Sequence, residues 1–182
     1  MPKQIGLQGD SLTVDANGEL SADELKAMYA HWIKKSDDEG DNPSGDWMNT
    51  IMPHVSLYSV NTSPTLPSAT FLFTVQQEHS NRHGTLHGGC AATLFDYLTT
   101  LPLNVVARPG GYWQRLGVSR NISVTYLRPV QVGDEVLVEA ELVQVSKRMA
   151  VLRGTMRRKS DGKVAMMCEH QKVNIDKNAH KL

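Results

Sequence analysis

The stretch Asn81-Arg82-His83-Gly84-Thr85-Leu86-His87-Gly88-Gly89-Cys90-Ala91-Ala92-Thr93-Leu94-Phe95-Asp96 joins a polar, glycine-rich loop to an apolar segment that carries one acid. From Cys90 to Val106 most residues are Ala, Leu, Val, Phe or Thr, which predicts a helix packed in the core. Pro102 predicts a kink or an early end of this helix. Because an unpaired carboxylate is costly to bury, we expect Asp96 either to have specific partners or to be kept for chemistry.

The two glycines at the start of this helix predict a binding site for an oxyanion. Gly88 and Gly89 have no Cβ, so a ligand can approach the backbone closely. Their N–H groups belong to the first helical turn, where donors are unpaired and the helix dipole is positive. Tight packing of helix on sheet is the alternative role for the pair, but packing alone does not call for the nearby His and Asn.

The spacing of Gly88 and Asp96 favours a site shared between two subunits. Asp96 follows Gly88 by eight residues, so the helical rise separates them by about 12 Å along the axis. This distance is too long for both to hold one carbonyl group. We therefore expect Gly88 of one subunit to work with Asp96 of its neighbour across a two-fold axis.

The rest of the chain predicts a sheet around that helix. Phe71, Phe73 and Val75 alternate as a strand before the loop, and four further strand-like segments with short links predict an antiparallel meander: residues 117–126, 135–145, 150–158 and 163–175. One long central helix wrapped by about five to six antiparallel strands is an α+β fold. Its open sheet edge predicts pairing of two copies.

The N-terminal part predicts an extension to this body. Residues 1–20 are rich in Gly, Asp and Asn and are expected to form loop or partly disordered chain. Ser21-Ala22-Asp23-Glu24 predicts a capping box, and an amphipathic helix follows with the apolar stripe Leu25, Met28, Tyr29, Trp32 and Ile33. A linker from Asp37 to Asp46 comes next. We expect residues 1–50 to be an extension and 51–182 to be the main domain.

The central motif resembles that of the hotdog-fold acyl-CoA thioesterases of the PaaI type. The likeness rests on an Asn, then Gly-Thr-Leu-His-Gly-Gly, then a helix with an Asp, and later on Gly117-Val118-Ser119 and Val124-Thr125-Tyr126-Leu127-Arg128-Pro129. It covers about residues 68–175. The resemblance implies a hotdog fold for residues 51–182, hydrolysis of an acyl-CoA to free acid and coenzyme A without a cofactor, and a homodimer that pairs into a homotetramer.

The resemblance also implies a role for individual residues. Asp96 would activate water or attack the thioester itself, and the Gly88 N–H would hold the oxyanion. Asn81 would polarise the thioester carbonyl, His87 would brace the loop, and Ser119 would position the water. Two simpler interpretations stay open: Asp96 as a structural acid, and Ser119 as a small polar strand residue.

The charge distribution suits a polyanionic ligand. Residues 1–50 hold ten acids and four bases, whereas the remainder holds nine acids and fifteen bases. A basic body favours the phosphates of coenzyme A. Nucleic acid is disfavoured because no aromatic-rich binding motif accompanies the charges. The residues expected to contact substrate are Gly89, Arg120, Lys147, Arg148 and Arg158; Arg120 stands where the family resemblance leads us to expect an aliphatic residue.

The cysteines are expected to be apolar filler. Cys90 lies in the first helical turn, where the dipole favours a thiolate that could act with His87 and Asp96. Cys is more commonly a small buried residue, and Cys168 on a late strand fits the same description. Two cysteines without a signal peptide favour a reducing compartment.

The histidine spacing does not make a metal site. His79, His83 and His87 recur every four residues, which would align three imidazoles on one helical face. Gly84, Gly88 and Gly89 make a helix there improbable, so no metal is expected.

The sequence also bears on the location of the protein and on a second possible function. No apolar run approaches 18 residues, so no membrane span is expected. We expect a cytoplasmic protein, with peroxisome and mitochondrion as alternatives, since His180-Lys181-Leu182 is close to the peroxisomal Ser-Lys-Leu signal. The alternative function is a non-catalytic acyl-CoA-binding protein, a sensor or carrier.

Overall fold

The computed structural model describes residues 4–7, 10–13, 21–34, 47–61, 63, 67–107 and 112–177. Two α-helices, α1 and α2, and eight strands, β1 to β8, span these ranges. In chain order they are β1 Gln4–Leu7, β2 Asp10–Thr13, α1 Ala22–Lys34, β3 Val55–Asn61, β4 Ser68–Thr74, α2 Gly88–Thr100, β5 Val118–Tyr126, β6 Glu135–Val145, β7 Met149–Arg158 and β8 Val164–Val173.

Six of the strands form one antiparallel sheet in the order β3-β4-β6-β7-β8-β5. The predicted meander is correct for β6, β7 and β8 but wrong for β5, which pairs with β8 at the sheet edge instead of with β6. The link between β5 and β6, residues 127–134, lies beside the glycine-rich loop that precedes α2. Leu86 of that loop donates its N–H to Val130 O of the link at 2.8 Å. This link is too long for a hairpin, so it carries the chain across the sheet.

The helix α2 lies in the core against the sheet, as the apolar pattern predicts. Leu94, Phe95 and Leu98 are completely buried. The closest approach is at Gly154 on β7, where a Cβ would stand 2.4 Å from the Phe95 ring. The helix gives way after Thr100 to a 3₁₀ turn over Leu101–Val105 that contains Pro102, so the predicted early end is confirmed.

The N-terminal extension packs partly on this core. The capping box is present, since Ser21 N–H donates to Glu24 Oε2 at 2.7 Å and Glu24 N–H donates to Ser21 Oγ at 3.2 Å. Met28 and Tyr29 of α1 are buried in the main core. The side chains of Leu25, Trp32 and Ile33 lie outside the described residues, as does the linker from Asp37 to Asp46.

Residues 4–7 and 10–13 form an antiparallel hairpin, with Ile5 opposite Leu12. The expectation of loop is therefore wrong for these eight residues, because alternating apolar residues allow backbone pairing despite the polar composition around them. The division at residue 50 stays a prediction, and Met48 and Ile51 on its two sides share one core. No helix in the described part of the chain is long and apolar enough to cross a membrane.

Candidate active site

Asn81 closes the loop that leads into α2. Its N–H donates to Thr85 O at 2.8 Å, and its Oδ1 accepts the His83 N–H at 2.8 Å. Its Nδ2 donates one hydrogen to Thr85 Oγ1 at 2.9 Å. Gly84 takes a φ of +71° within this turn, a conformation that favours glycine. The amide of Asn81 keeps a second Nδ2 hydrogen for a ligand carbonyl.

In the first turn of α2, the N–H groups of Gly88 and Cys90 have no hydrogen-bond partner among the described residues. His87 is the N-cap, and its Nδ1 accepts the Gly89 N–H at 3.0 Å. The Gly88 N–H has no hydrogen-bond partner within the described ranges. The Gly88 carbonyl accepts the Tyr126 hydroxyl at 2.8 Å, which secures this end of the helix against β5. Gly88 is thus an available donor at the very start of the helix, whereas the Gly89 amide is already used by His87.

Asp96 opens into a pocket of about 480 Å³. Its side chain is 50% exposed, so the expectation of a fully buried acid is wrong for the single chain. The reason is that α2 turns its Asp96 face away from the sheet core, toward the segment before β5. Most of the lining surface is apolar, and Met48, Tyr97, Leu101 and Leu116 are among the residues that line it.

A polar cluster lies behind Asp96. Its Oδ1 accepts the Ser119 hydroxyl at 2.5 Å, and Ser119 Oγ is 2.9 Å from Nε2 of His170. The direct distance between His170 Nε2 and Asp96 Oδ1 is 3.3 Å. His170 is completely buried, and its Nδ1 is 2.8 Å from the Thr99 hydroxyl. These contacts join α2, β5 and β8 around one carboxylate.

A buried lysine lies beside this cluster. Lys172 is 5% exposed and lines the same pocket, and its Nζ donates to Thr100 Oγ1 at 3.0 Å. Burial lowers the pKa of Lys172, while Asp96 pulls it upward. Burial and then the Lys172 ammonium lower the pKa of His170 to about 4, against a smaller upward pull from Asp96. The His170 imidazole is therefore neutral at pH 7.

His170 and Lys172 were not identified from the sequence. The sequence does contain one indication of them. Every second residue of β8 faces the core, and the inward residues Met166 and Cys168 are followed by His170 and Lys172. Polar side chains on the core face of a strand need partners or a function. Without the tertiary structure, nothing indicates that those partners come from α2 and β5.

The wall of the pocket between α2 and β5 is held by long-range contacts. Asp176 accepts the Gln114 N–H at 2.8 Å and the Arg115 N–H at 3.3 Å. Trp113 Nε1–H donates to Ser146 O at 2.7 Å. Trp113 and Leu116 both have a positive φ, which these contacts maintain. Gln114, Arg115 and Leu116 line the pocket.

The basic residues proposed as substrate contacts lie outside the lining of this pocket. Arg120 is the extra residue of a β-bulge, and one of its guanidinium nitrogens is 3.8 Å from Met149 Sδ. Lys147 Nζ is 5.3 Å from the centre of the Tyr112 ring, and Arg148 follows it in the same turn. Arg158 is held by Asp161 at 2.6 Å in the turn between β7 and β8. Arg115 and Lys172 are the cations of the lining.

Both cysteines lie largely away from solvent. Burial raises the pKa of Cys90 to about 11 and that of Cys168 to about 12, which favours apolar filler over a nucleophile.

His54, Glu78 and His79 cluster closely enough to suggest a metal site. His79 Nδ1 accepts the Gln76 N–H at 3.1 Å, so Nε2 carries the hydrogen and donates to Thr50 O at 2.7 Å. Neither nitrogen of His79 keeps a lone pair for a metal.

Known proteins resemble this chain in sequence and in fold. The thioesterase superfamily profile matches residues 83–165. Acyl-coenzyme A thioesterase 13 of Mus musculus is 33% identical over 98 residues, which are 54% of this chain and 66% of that protein. A putative esterase of Caenorhabditis elegans is 40% identical over 96 residues, which are 53% of this chain and 54% of that protein. The match thus spans between 54% and 66% of the length of these two relatives.

Two solved structures share the fold. Zebrafish thioesterase superfamily member 2 aligns with a TM-score of 0.65 and 24% identity, over 85% of this chain and 98% of that one. A mutant of the phenylacetic acid degradation protein PaaI from Thermus thermophilus aligns with a TM-score of 0.56 and 23% identity, over 70% of this chain and 96% of that one. The fold is therefore the hotdog fold, and the segment 83–165 matches the model of the thioesterase superfamily.

Proposed function

We propose that this chain is an acyl-CoA thioesterase that hydrolyses an acyl-CoA to free acid and coenzyme A. The observation that carries the proposal is the half-exposed carboxylate of Asp96 at the end of a mostly apolar pocket. An apolar pocket suits an acyl group, and a carboxylate held by a hydroxyl suits the activation of water. The name of the mouse relative supports the coenzyme A thioester as the substrate class.

The proposed oxyanion donor is the Gly88 N–H. It is the first amide of α2, it has no partner in the described part of the chain, and it lies at the positive end of the helix dipole. A preorganised donor of this kind contributes about 10²–10³ in rate. In the proposal Asn81 adds its remaining Nδ2 hydrogen, and His87 keeps the loop in place through Gly89.

The proposed site is shared by two subunits. Gly88, Asn81 and His87 are absent from the lining of the pocket that contains Asp96, and the helix separates Gly88 from Asp96 by about 12 Å. β5 is an edge strand and pairs, among the described strands, with β8 alone. Two copies joined at β5 would make a homodimer, which would pair further into the homotetramer expected from the family resemblance.

The coenzyme A phosphates need cations near the pocket entrance. We propose Lys147, Arg148 and Arg120 for this role, as the charge pattern of the sequence indicates, and add Arg115 of the pocket wall. Arg158 is a weaker candidate because Asp161 already holds its guanidinium.

The first test is release of free thiol from short, medium, long and aryl acyl-CoAs by the wild type and by Asp96→Asn. Turnover of at least one substrate that falls by more than about 10² in the variant supports a catalytic acid–base or nucleophilic role. Binding of acyl-CoA to both forms without any hydrolysis would instead support the sensor or carrier function.

The second test addresses the shared site through mixed dimers of Asp96→Asn and Gly88→Pro subunits. Proline suits the first helical position, and the His87 ψ of 133° is compatible with a following proline, so this change removes the N–H while keeping the helix. Random mixing should restore about a quarter of wild-type activity, since each mixed dimer has one intact site. A site contained within one subunit would regain nothing on mixing.

A further inference from the structure

His170 is the most conspicuous polar group whose role the proposed function leaves unexplained. It is completely buried and absent from the lining of the pocket, yet its Nε2 lies 2.9 Å from Ser119 Oγ and 3.3 Å from Asp96 Oδ1. A histidine in this position acts on the substrate only through Ser119 or Asp96. What it does depends on where its hydrogens are.

The Thr99 hydroxyl determines the tautomer of His170. This hydroxyl has one hydrogen and lies 2.6 Å from Phe95 O, an atom that only accepts. Its hydrogen is therefore used there, and its oxygen must accept from Nδ1 of His170 at 2.8 Å. The neutral imidazole then carries its hydrogen on Nδ1 and presents a lone pair on Nε2 to Ser119.

Asp96, Ser119 and His170 make two hydrogen-bond contacts with each other through Ser119 Oγ, but only one hydrogen is available for them. The contact from Ser119 Oγ to Asp96 Oδ1 is 2.5 Å and the contact to His170 Nε2 is 2.9 Å, and each requires a hydrogen between the two atoms. With Asp96 ionised and His170 neutral, Ser119 supplies a single hydrogen for both. The cluster is therefore arranged to receive one more proton.

We propose that Asp96, Ser119 and His170 form a proton relay that stores the proton of the attacking water inside the protein and returns it to the leaving thiolate. This inference rests on the proposed thioesterase function, with Asp96 as general base. Ser119 and His170 are then positioning residues that act through Asp96, while Thr99 fixes the orientation of the imidazole.

The steps balance in protons and electron pairs. Water oxygen bonds to the thioester carbon as one water O–H bond breaks, and that proton goes to Asp96 Oδ1. Asp96 passes a proton to Ser119 Oγ while the Ser119 proton moves to His170 Nε2, so the imidazole becomes a cation. When the C–S bond breaks, its electron pair leaves with sulfur. The transfers then reverse, and the proton completes the coenzyme A thiol.

The surroundings of His170 make this storage temporary. Thr99 and Asp96 face it from α2 and Ser119 from β5, while Lys172 lies two residues along its own strand. Burial and the Lys172 ammonium oppose a charge on the imidazole, and Asp96 favours it. A stored proton is therefore released readily when the thiolate forms.

The test is His170→Gln, whose side-chain amide can hydrogen-bond Ser119 but cannot take a proton at neutral pH. His54→Gln, at a histidine outside the pocket, is the matched control. We would measure kcat from pH 5 to 9 and the solvent isotope effect in mixtures of H₂O and D₂O. The relay predicts a kcat loss of about 10–10² for His170→Gln. It also predicts that a curved dependence on the D₂O fraction in the wild type becomes linear in this variant.

A His170→Gln enzyme that keeps kcat within about threefold of wild type, or a wild type with a linear D₂O dependence, would overturn the relay while leaving the thioesterase function intact. Absence of any acyl-CoA hydrolysis by the wild type would reject the proposed function instead. If His170→Gln fails to fold, Thr99→Val takes its place. The relay then predicts about a tenfold loss in kcat that Thr99→Ser recovers, and equal activity of both variants would contradict it.

Discussion

The two ends of α2 are built in opposite ways. At its N-terminus, the turn and the N-cap are formed by residues close in sequence, Asn81 with Thr85 and His87 with Gly89, and long-range bonds such as that from Tyr126 to Gly88 only attach this loop to the sheet. At Asp96, the partners come from far along the chain: Ser119 lies 23 residues away, and His170 binds Ser119 across 51 residues. A local motif can be identified in a sequence, whereas a cluster assembled from three elements depends on the whole fold.

The comparison also explains why the two ends respond differently to change. The loop end needs a free N–H and a turn that its own residues maintain. The Asp96 end needs α2, β5 and β8 to stay in register, so it is sensitive to packing and to pH.

The largest effect is expected from removing the donor at the loop end. Gly88→Pro should lower kcat by about 10²–10³, because it deletes the proposed oxyanion donor without ending the helix. Gly88→Ala keeps the N–H and adds a Cβ 3.3 Å from the Tyr126 ring, so it should lose far less. Steady-state hydrolysis of an acyl-CoA measures both, and equal losses would mean that the N–H is not the donor.

The Asp96 end should make stability depend on pH. The pKa of His170 lies near 4 in the folded chain and at 6.5 in the unfolded one. The unfolded state therefore binds this proton first as the pH falls, and the free energy of unfolding should decrease between about pH 6.5 and pH 4. The decrease is on the order of 2–3 kcal/mol. Urea unfolding across this range measures it, and His170→Gln should show a smaller decrease; an unchanged one would point to other groups.

The C-terminal half of α2 packs so closely on Gly154 of β7 that one added methyl group there should lower stability. Gly154→Ala would place a Cβ 2.4 Å from the Phe95 ring and 3.0 Å from Thr99 Cγ2. We expect a loss of about 1–3 kcal/mol in the free energy of unfolding, as for other overpacked cores. The double variant Gly154→Ala/Phe95→Leu should regain part of it. No regain would show that the helix accommodates the methyl group in another way.

The smallest effect is expected at the pocket wall. Asp176→Asn weakens the contacts to the Gln114 and Arg115 N–H groups, so unfolding should become easier by about 1 kcal/mol. Because this wall lines the pocket, KM should rise while kcat changes little. Asp161→Asn breaks an ion pair in the turn between β7 and β8 and serves as the control. If the wild type and Asp176→Asn have a similar KM, the pocket wall does not contribute to substrate binding.

Several elements could be predicted because their signals are local. The capping box at Ser21, the end of α2 near Pro102 and the strand Glu135–Val145 follow from short patterns of capping, proline and alternation. The hairpin of β1 and β2, the strand β3 and the place of β5 beside β8 were missed or misplaced. The place of β5 depended on hydrogen bonds from β8, which lies far along the chain, whereas β1 and β2 pair across a short local link that the polar composition concealed.

The amino-acid sequence by itself determined the loop motif, the helix that follows it and the likeness of the segment 83–165 to the thioesterase superfamily. It also placed Gly88 and Asp96 too far apart for one chain to use both on the same carbonyl. Only the tertiary structure decided that Asp96 is half-exposed in a pocket and backed by Ser119, His170 and Lys172. The physical reason is the sequence separation over which the interactions act. Helix geometry and capping depend on a few neighbouring residues, whereas the burial and the pKa of a side chain depend on atoms that only the completed sheet brings together.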